Sequence, residues 1–177
     1  MNLKIINFKT IKSTNDTAIR MIKTGILSGV IVANKQIKGK GQRGKRWISK
    51  EGNLFATFFF EISKNISINK IIKINSLILK ETLSRYIKNK IIIKLPNDLL
   101  IDKKKVSGIL QEIIFKNSKK FLILGIGVNI SSSPNIPNYQ TTYLEKYTKK
   151  KIDKFKILKN IKKKLILHSN IFKKGNS

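Results

Sequence analysis

Between Lys35 and Arg46 three glycines, Gly39, Gly41 and Gly44, stand among Lys38, Lys40, Arg43, Lys45 and Arg46. A stretch with so little apolar bulk cannot form a core. Glycines let backbone N–H groups approach a ligand closely and tolerate positive φ, so with these cations the chemistry that fits is holding an anion. Gly39-x-Gly41-x-x-Gly44 matches a dinucleotide fingerprint, and Gly39-x-x-x-x-Gly44-Lys45 matches most of a P-loop. Both motifs need a helix to open at the last glycine. Here a turn-rich run is followed by Leu54–Phe60, LFATFFF, which reads as a strand. Arg46 also stands where a P-loop has the Ser or Thr that meets magnesium. Neither motif is met in context, and the plain alternative is a solvated basic loop.

Other positions invite similar scrutiny. Pro96-Asn97-Asp98 brings an amide and a carboxylate together and is equally good turn chemistry. Gly125 and Gly127 permit close backbone approach or a β-bulge. Trp47 is the one tryptophan of the chain, and His168 the one histidine, read as an ordinary helix residue. The lack of Cys excludes thiol nucleophiles, disulfides and cysteine-type zinc sites, and a single His near the C-terminus argues against Ser-His-Asp catalysis and His-rich metal sites.

The elements that must carry these residues can be read in order. A strand over Lys4–Phe8 precedes Ser13-Thr14-Asn15-Asp16, a helix start whose side-chain oxygens cap free N–H groups. Gly25 suits the helix stop. Strands follow at Gly29–Ala33 and Leu54–Glu61, on either side of the basic loop. Ile68–Lys88 has apolar residues at helical spacing. Ile91–Lys94, Leu99–Ile101, Lys105–Phe115 and Phe121–Ile126 read as strands, with a hairpin turn at Asn117-Ser118-Lys119 and a break at Gly125–Asn129. Ser131–Gln140 is irregular, and Asp153 caps a last helix over Lys154–Phe172. No repeat or linker divides the 177 residues, which implies one α+β domain around a mostly antiparallel sheet.

The formal charge of +29 suggests nucleic acid. Arginine occurs only at 20, 43, 46 and 85, however, and the rest of the basic charge is lysine in a chain also rich in Ile and Asn. A diffuse lysine coat of this kind follows from A/T-rich codon drift, and no DNA-reading motif accompanies it, so specific DNA binding is not expected. No signal peptide is visible and no apolar run reaches membrane-spanning length, so the expected location is cytoplasmic, without a membrane partner.

Five segments in order carry a family resemblance: Ser13-Thr14-Asn15; the GKGQRGKRW loop; Lys94-Leu95-Pro96-Asn97-Asp98; Lys105-Val106-Ser107-Gly108-Ile109-Leu110 with Glu112; and Gly125-Ile126-Gly127-Val128-Asn129. Their order and spacing resemble the catalytic domain of biotin–protein ligases over roughly residues 5–172. The resemblance implies a class II synthetase-like fold with a mixed sheet and helices packed on one face. It implies that residues 1–177 form the catalytic domain alone, without an N-terminal DNA-binding domain or a C-terminal small β-barrel. The implied reaction joins biotin and ATP to give biotinyl-5′-AMP. Biotin then passes to one lysine of a biotin carboxyl carrier protein, from acetyl-CoA carboxylase or another biotin-dependent carboxylase. Magnesium accompanies ATP, no tightly bound prosthetic group is implied, and the expected state is a monomer or weak homodimer.

By motif position, the resemblance assigns Ser13, Thr14, Asn15, Gln36, Gly39, Lys40, Gly41, Gln42, Lys105, Gly108 and Gly125 to biotin. Lys40, Arg43, Trp47, Lys94, Asn97, Asp98, Lys105 and Asn129 go to ATP and adenylate, and Asp98 also to magnesium. Lys105, Arg43 and Asp98 are the implied catalytic group, with Lys105 bridging the biotin carboxylate and the α-phosphate. Trp47 either covers adenine or packs the ordered loop. Three positions depart from the pattern: Gln42 and Lys40 replace loop arginines, and Leu95 replaces a tryptophan. Two rivals are a lipoate- or octanoyl-protein ligase, whose arginine-Ser-Gly-Gly-Gly loop and histidine motif are absent here, and a decayed basic binding protein.

Overall fold

The computed structural model describes residues 1–137 and 139–174. Seven strands form one sheet in the order β1-β2-β3-β7-β6-β5-β4. Their spans are β1 Ile5–Ile11, β2 Gly29–Gln36, β3 Leu54–Ile62, β4 Ile92–Lys94, β5 Asp98–Ile101, β6 Lys104–Lys116 and β7 Lys119–Val128. β1 and β2 run parallel, joined through the helix α1 (Thr14–Lys23), and every other pair is antiparallel. The mixed, mostly antiparallel α+β fold matches the expectation.

Strand alternation sorts the core by face. On β3 and β7, Leu54, Ala56, Phe58, Phe60, Leu122, Leu124, Ile126 and Val128 point to one side. There they meet α2 (Ile68–Leu83), α3 (Lys154–Leu167) and Phe172 of α4 (Ser169–Lys174). Phe59, Phe121 and Ile123 point to the other side and meet Ala18 and Ile22 of α1. The helices are therefore divided between the two faces, not gathered on one. The reason is the parallel crossover from β1 to β2, which carries α1 over the face that the other helices leave free.

Local signals set several boundaries. The Ser13 hydroxyl accepts from Asp16 N–H and begins α1, and Lys116 Nζ donates to the Ile22 and Lys23 carbonyls at its end. Asp153 caps α3 by accepting from Phe155 N–H. The helix expected to run to Lys88 stops at Leu83: past Ser84 the N–H groups of Arg85 and Tyr86 turn back only three residues, to the Thr82 and Leu83 carbonyls, and the α-helical pattern ends. The last helix breaks at His168, so this residue caps α3 instead of lying within a helix. Gly125 and Gly127 do not end their strand. They stay paired with β3 on one side and β6 on the other.

Candidate active site

Gly108 and Gly127 face each other directly across β6 and β7, and Gly125 lies two residues away on the same face. The absence of three side chains opens a trough in the α1 face of the sheet. The indole of Trp47 lies in it: a β-carbon on Gly127 would stand 2.5 Å from Trp47 Cζ2, and one on Gly108 2.8 Å from Cζ3. Gly125 makes room for Asn15, whose side chain is locked in place. Thr57 Oγ1 donates to Asn15 Oδ1 at 2.6 Å, and Asn15 Nδ2 donates to Glu112 Oε2 at 2.6 Å.

Around this trough opens a cleft of about 1260 Å³. One end is neutral and polar. The Thr14 N–H and hydroxyl both donate to Gln36 Oε1, at 2.8 and 3.0 Å, and Gln36 Nε2 donates to Ser49 Oγ at 3.3 Å. The loop after β2 forms a wall. Its Gln42–Gly44 turn is 3₁₀, and Arg43 has φ of 53°, the left-handed state that non-glycine residues adopt mainly where surrounding structure imposes it. Arg46 Nη2 anchors the loop by donating to the Ile37 carbonyl at 2.8 Å, and Lys40 pairs with Asp16 of α1.

Opposite stands the turn between β4 and β5 with the start of β6. Lys105 Nζ lies 2.7 Å from Asp98 Oδ1 and 5.4 Å from the centre of the Trp47 ring. Tyr139 donates its hydroxyl to Asp98 Oδ2 at 2.6 Å. Burial, then that hydrogen bond, pushes the Tyr139 phenol well above its ordinary value, so at neutral pH it remains a donor. Asn129 Nδ2 donates to the Thr142 carbonyl at 3.0 Å, while the buried Asn129 Oδ1 and Trp47 Nε1 have no hydrogen-bond partner.

Of the residues expected from sequence, Ser13, Thr14, Asn15, Gln36, Lys40, Gly41, Gln42, Arg43, Trp47, Lys94, Asn97, Asp98, Lys105, Gly108, Gly125 and Asn129 all line this cleft. Gly39 does not. It lies behind the loop, where its carbonyl accepts from Trp47 N–H at 2.9 Å and a β-carbon would strike the Trp47 carbonyl. Asn15 reaches the lining but its amide is committed to Thr57 and Glu112. The profile of the biotin/lipoate A/B protein ligase family matches residues 8–129, which contain every one of these positions. The chain belongs to that family.

Its relatives agree. Over 127 residues it is 29% identical to the bifunctional ligase/repressor BirA of Escherichia coli (strain K12), a match covering 68% of this chain and 39% of that protein. It is 28% identical over 127 residues to the biotin–acetyl-CoA-carboxylase ligase of Paracoccus denitrificans, covering 70% of this chain and 53% of that one. The chain thus spans about half the length, or less, of these curated relatives. Among solved structures, the biotin protein ligase of Aquifex aeolicus in complex with biotin and ATP aligns with a TM-score of 0.74 and 29% identity, over 95% of this chain and 72% of that one.

Two participants of this ligase-family site are not apparent from the sequence. Tyr139 sits in an irregular, proline-punctuated run with no periodicity to mark it. Asn53 is fully buried, and its Oδ1 accepts from Ile130 N–H at 2.8 Å and Ser131 N–H at 3.1 Å, pinning the segment just after Asn129. Only its place beside β3 hints at that. No group of three or more His, Cys, Asp or Glu suited to a metal occurs among the described residues. No helix among them is long and apolar enough to cross a membrane.

Proposed function

We propose that this chain activates biotin with ATP to biotinyl-5′-AMP and transfers biotin to a specific lysine of a biotin carboxyl carrier protein. The observation that carries the reading is the polarity of the cleft. A neutral hydrogen-bonding end around Ser13, Thr14 and Gln36 suits the uncharged ring head of biotin. The cationic loop and Lys105 suit a carboxylate and phosphates further along. Among the described lining residues Asp98 is the one carboxylate.

The chemistry needs little from acids or bases in its first step. A biotin carboxylate oxygen attacks the α-phosphorus, the bond from that phosphorus to the oxygen bridging to the β-phosphate breaks, and pyrophosphate departs. The obstacle is repulsion between two anions, so fixed cations and N–H donors do the work. Lys105 and Arg43, which both line the cleft, would supply that charge. In the second step the carrier lysine, as a free amine, attacks the acyl carbon; AMP leaves and the amine loses a proton. Magnesium would be held mainly by the ATP phosphates, whose charge it would neutralise, because both oxygens of Asp98, the one carboxylate among the described lining residues, are taken by Lys105 and Tyr139.

The test is incubation with biotin, ATP and magnesium, with mass detection of biotinyl-AMP and then of label on a carrier domain. Formation with biotin is expected. No acyl-adenylate, or one formed from lipoate in preference to biotin, would overturn the reading.

A further inference from the structure

The ammonium of Lys105 is enclosed by more than its ion pair. The Trp47 ring lies 5.4 Å from it and the Tyr139 ring 5.6 Å, while Tyr139 also grips the far oxygen of Asp98 at 2.6 Å. Tyr139 is itself held beside Lys105 by backbone. The Lys105 N–H donates to the Gln140 carbonyl at 2.9 Å, and the Lys105 carbonyl accepts from Thr142 N–H at 2.8 Å. A parallel bridge between Lys105 and Thr141 lies between those two bonds. The 140–142 segment is therefore fastened to the lysine whose side chain Tyr139 surrounds.

We propose that Tyr139 is a positioning residue for Lys105: its hydroxyl fixes Asp98, and its ring, with that of Trp47, fixes the ammonium over the cleft. The inference rests on the ligase reading above for what Lys105 then does. By itself an Asp98 carboxylate would take the lysine as its main partner and turn it from substrate. A hydroxyl donating to the second oxygen draws off part of that negative charge. The aromatic faces meanwhile hold the cation without supplying a competing anion. An ammonium held this way can share itself with a developing phosphoryl charge without first breaking a strong pair, which is a transition-state contribution and not a binding one.

The test uses Trp47, the sole tryptophan, as a reporter beside Lys105. Its emission is recorded for the parent, Lys105→Met, Tyr139→Phe, Asp98→Asn and the Asp98→Asn/Tyr139→Phe double variant, all without ligand. Lys105→Met defines the signal with the cation removed. Tyr139→Phe keeps the ring and loses the donor, and should move the emission part of the way to that limit. In the Asp98→Asn background it should add nothing, since the hydroxyl acts through that carboxylate. In turnover, Tyr139→Phe should lower kcat and kcat/KM for adenylate formation together by roughly tenfold while KM for biotin changes less than about threefold. Parental emission and kcat in Tyr139→Phe, or a full extra emission change in the double variant, would overturn the proposal. If the parent forms no adenylate but the emission series behaves as expected, the ligase reading fails and the placement of Lys105 by Tyr139 stands.

Discussion

Gly125→Ala should cost about 2–5 kcal/mol of folding stability, although it adds one methyl group inside a strand. The new carbon would stand 3.0 Å from Asn15 Cγ and 3.1 Å from its Nδ2, and nearer still to Oδ1. Unstrained heavy-atom contacts begin at about 3.5 Å, so the amide must retreat. It has nowhere to go, because Thr57 and Glu112 each hold it at 2.6 Å. Overpacking of this kind costs about 1–3 kcal/mol, and losing one buried hydrogen bond about 1–2 kcal/mol more. For 177 residues that is a fall in Tm of roughly 5–15 °C. Urea unfolding followed by circular dichroism measures it, and Asn15→Ala provides the control. Asn15→Ala alone is costly, but the double variant should be no worse than it, since the methyl then fills vacated space. A Gly125→Ala cost below about 0.5 kcal/mol, or simple addition of the two single costs, would refute the reasoning.

Further outcomes are expected at the cleft. Lys105→Ala should slow adenylate formation by about 10²–10³ with an unchanged circular dichroism spectrum, and parental turnover would remove Lys105 from the mechanism. Biotin with ATP should protect the 37–51 loop from cleavage at Arg43; equal cleavage with and without them would count against loop closure. The hydrogen bond from Lys40 to Asp16, chiefly, holds the Lys40 ammonium above its ordinary value of 10.5. The tether is therefore complete below that value and lost as pH rises through the raised one, where a stable protease should cut the loop faster. Gln42→Arg should slow escape of preformed biotinyl-AMP and labelling of a bystander protein, because a charged fork of donors replaces one amide in the cleft wall. No slowing would make Gln42 a neutral replacement.

What the sequence revealed was local. Ser13 and Asp153 announce caps because the capping oxygen lies within three residues of the N–H it takes, and Asn117-Ser118-Lys119 announces a turn by residue type, although Lys119 already pairs with Lys116 as the first residue of β7. The five segments around the cleft could be picked out by their residue types, since glycines and cations need no tertiary context to be noticed. Properties that depend on distant pairing stayed hidden. Gly125 and Gly127 look like a break until Asn15 and Trp47 are seen to occupy the space they leave. Gly39 looks like its neighbours in the loop, but the Trp47 carbonyl behind it gives it a packing role. Tyr139 becomes meaningful only once Thr141 is docked on β6, 36 positions back by the numbers of the bridge. The side of the sheet on which α1 lies follows from strand order, which no single segment encodes.

The hairpin of β6 and β7 places the floor of the cleft under remote control. Its register runs without interruption from Lys116 opposite Lys119 to Ser107 opposite Val128. The two residues between the strands, Asn117 and Ser118, have φ of 47° and 59°, the conformation of a tight two-residue hairpin turn. That turn acts as an indexing pin at the far tip of the ribbon. A slip of one residue would set Gly108 against Ile126 or Val128 and bring the leucines of β7 to the side where the indole lies. The geometry of the cleft is thus counted out from a surface turn that does not line it. An insertion there would erase the trough while leaving every residue that lines it unchanged.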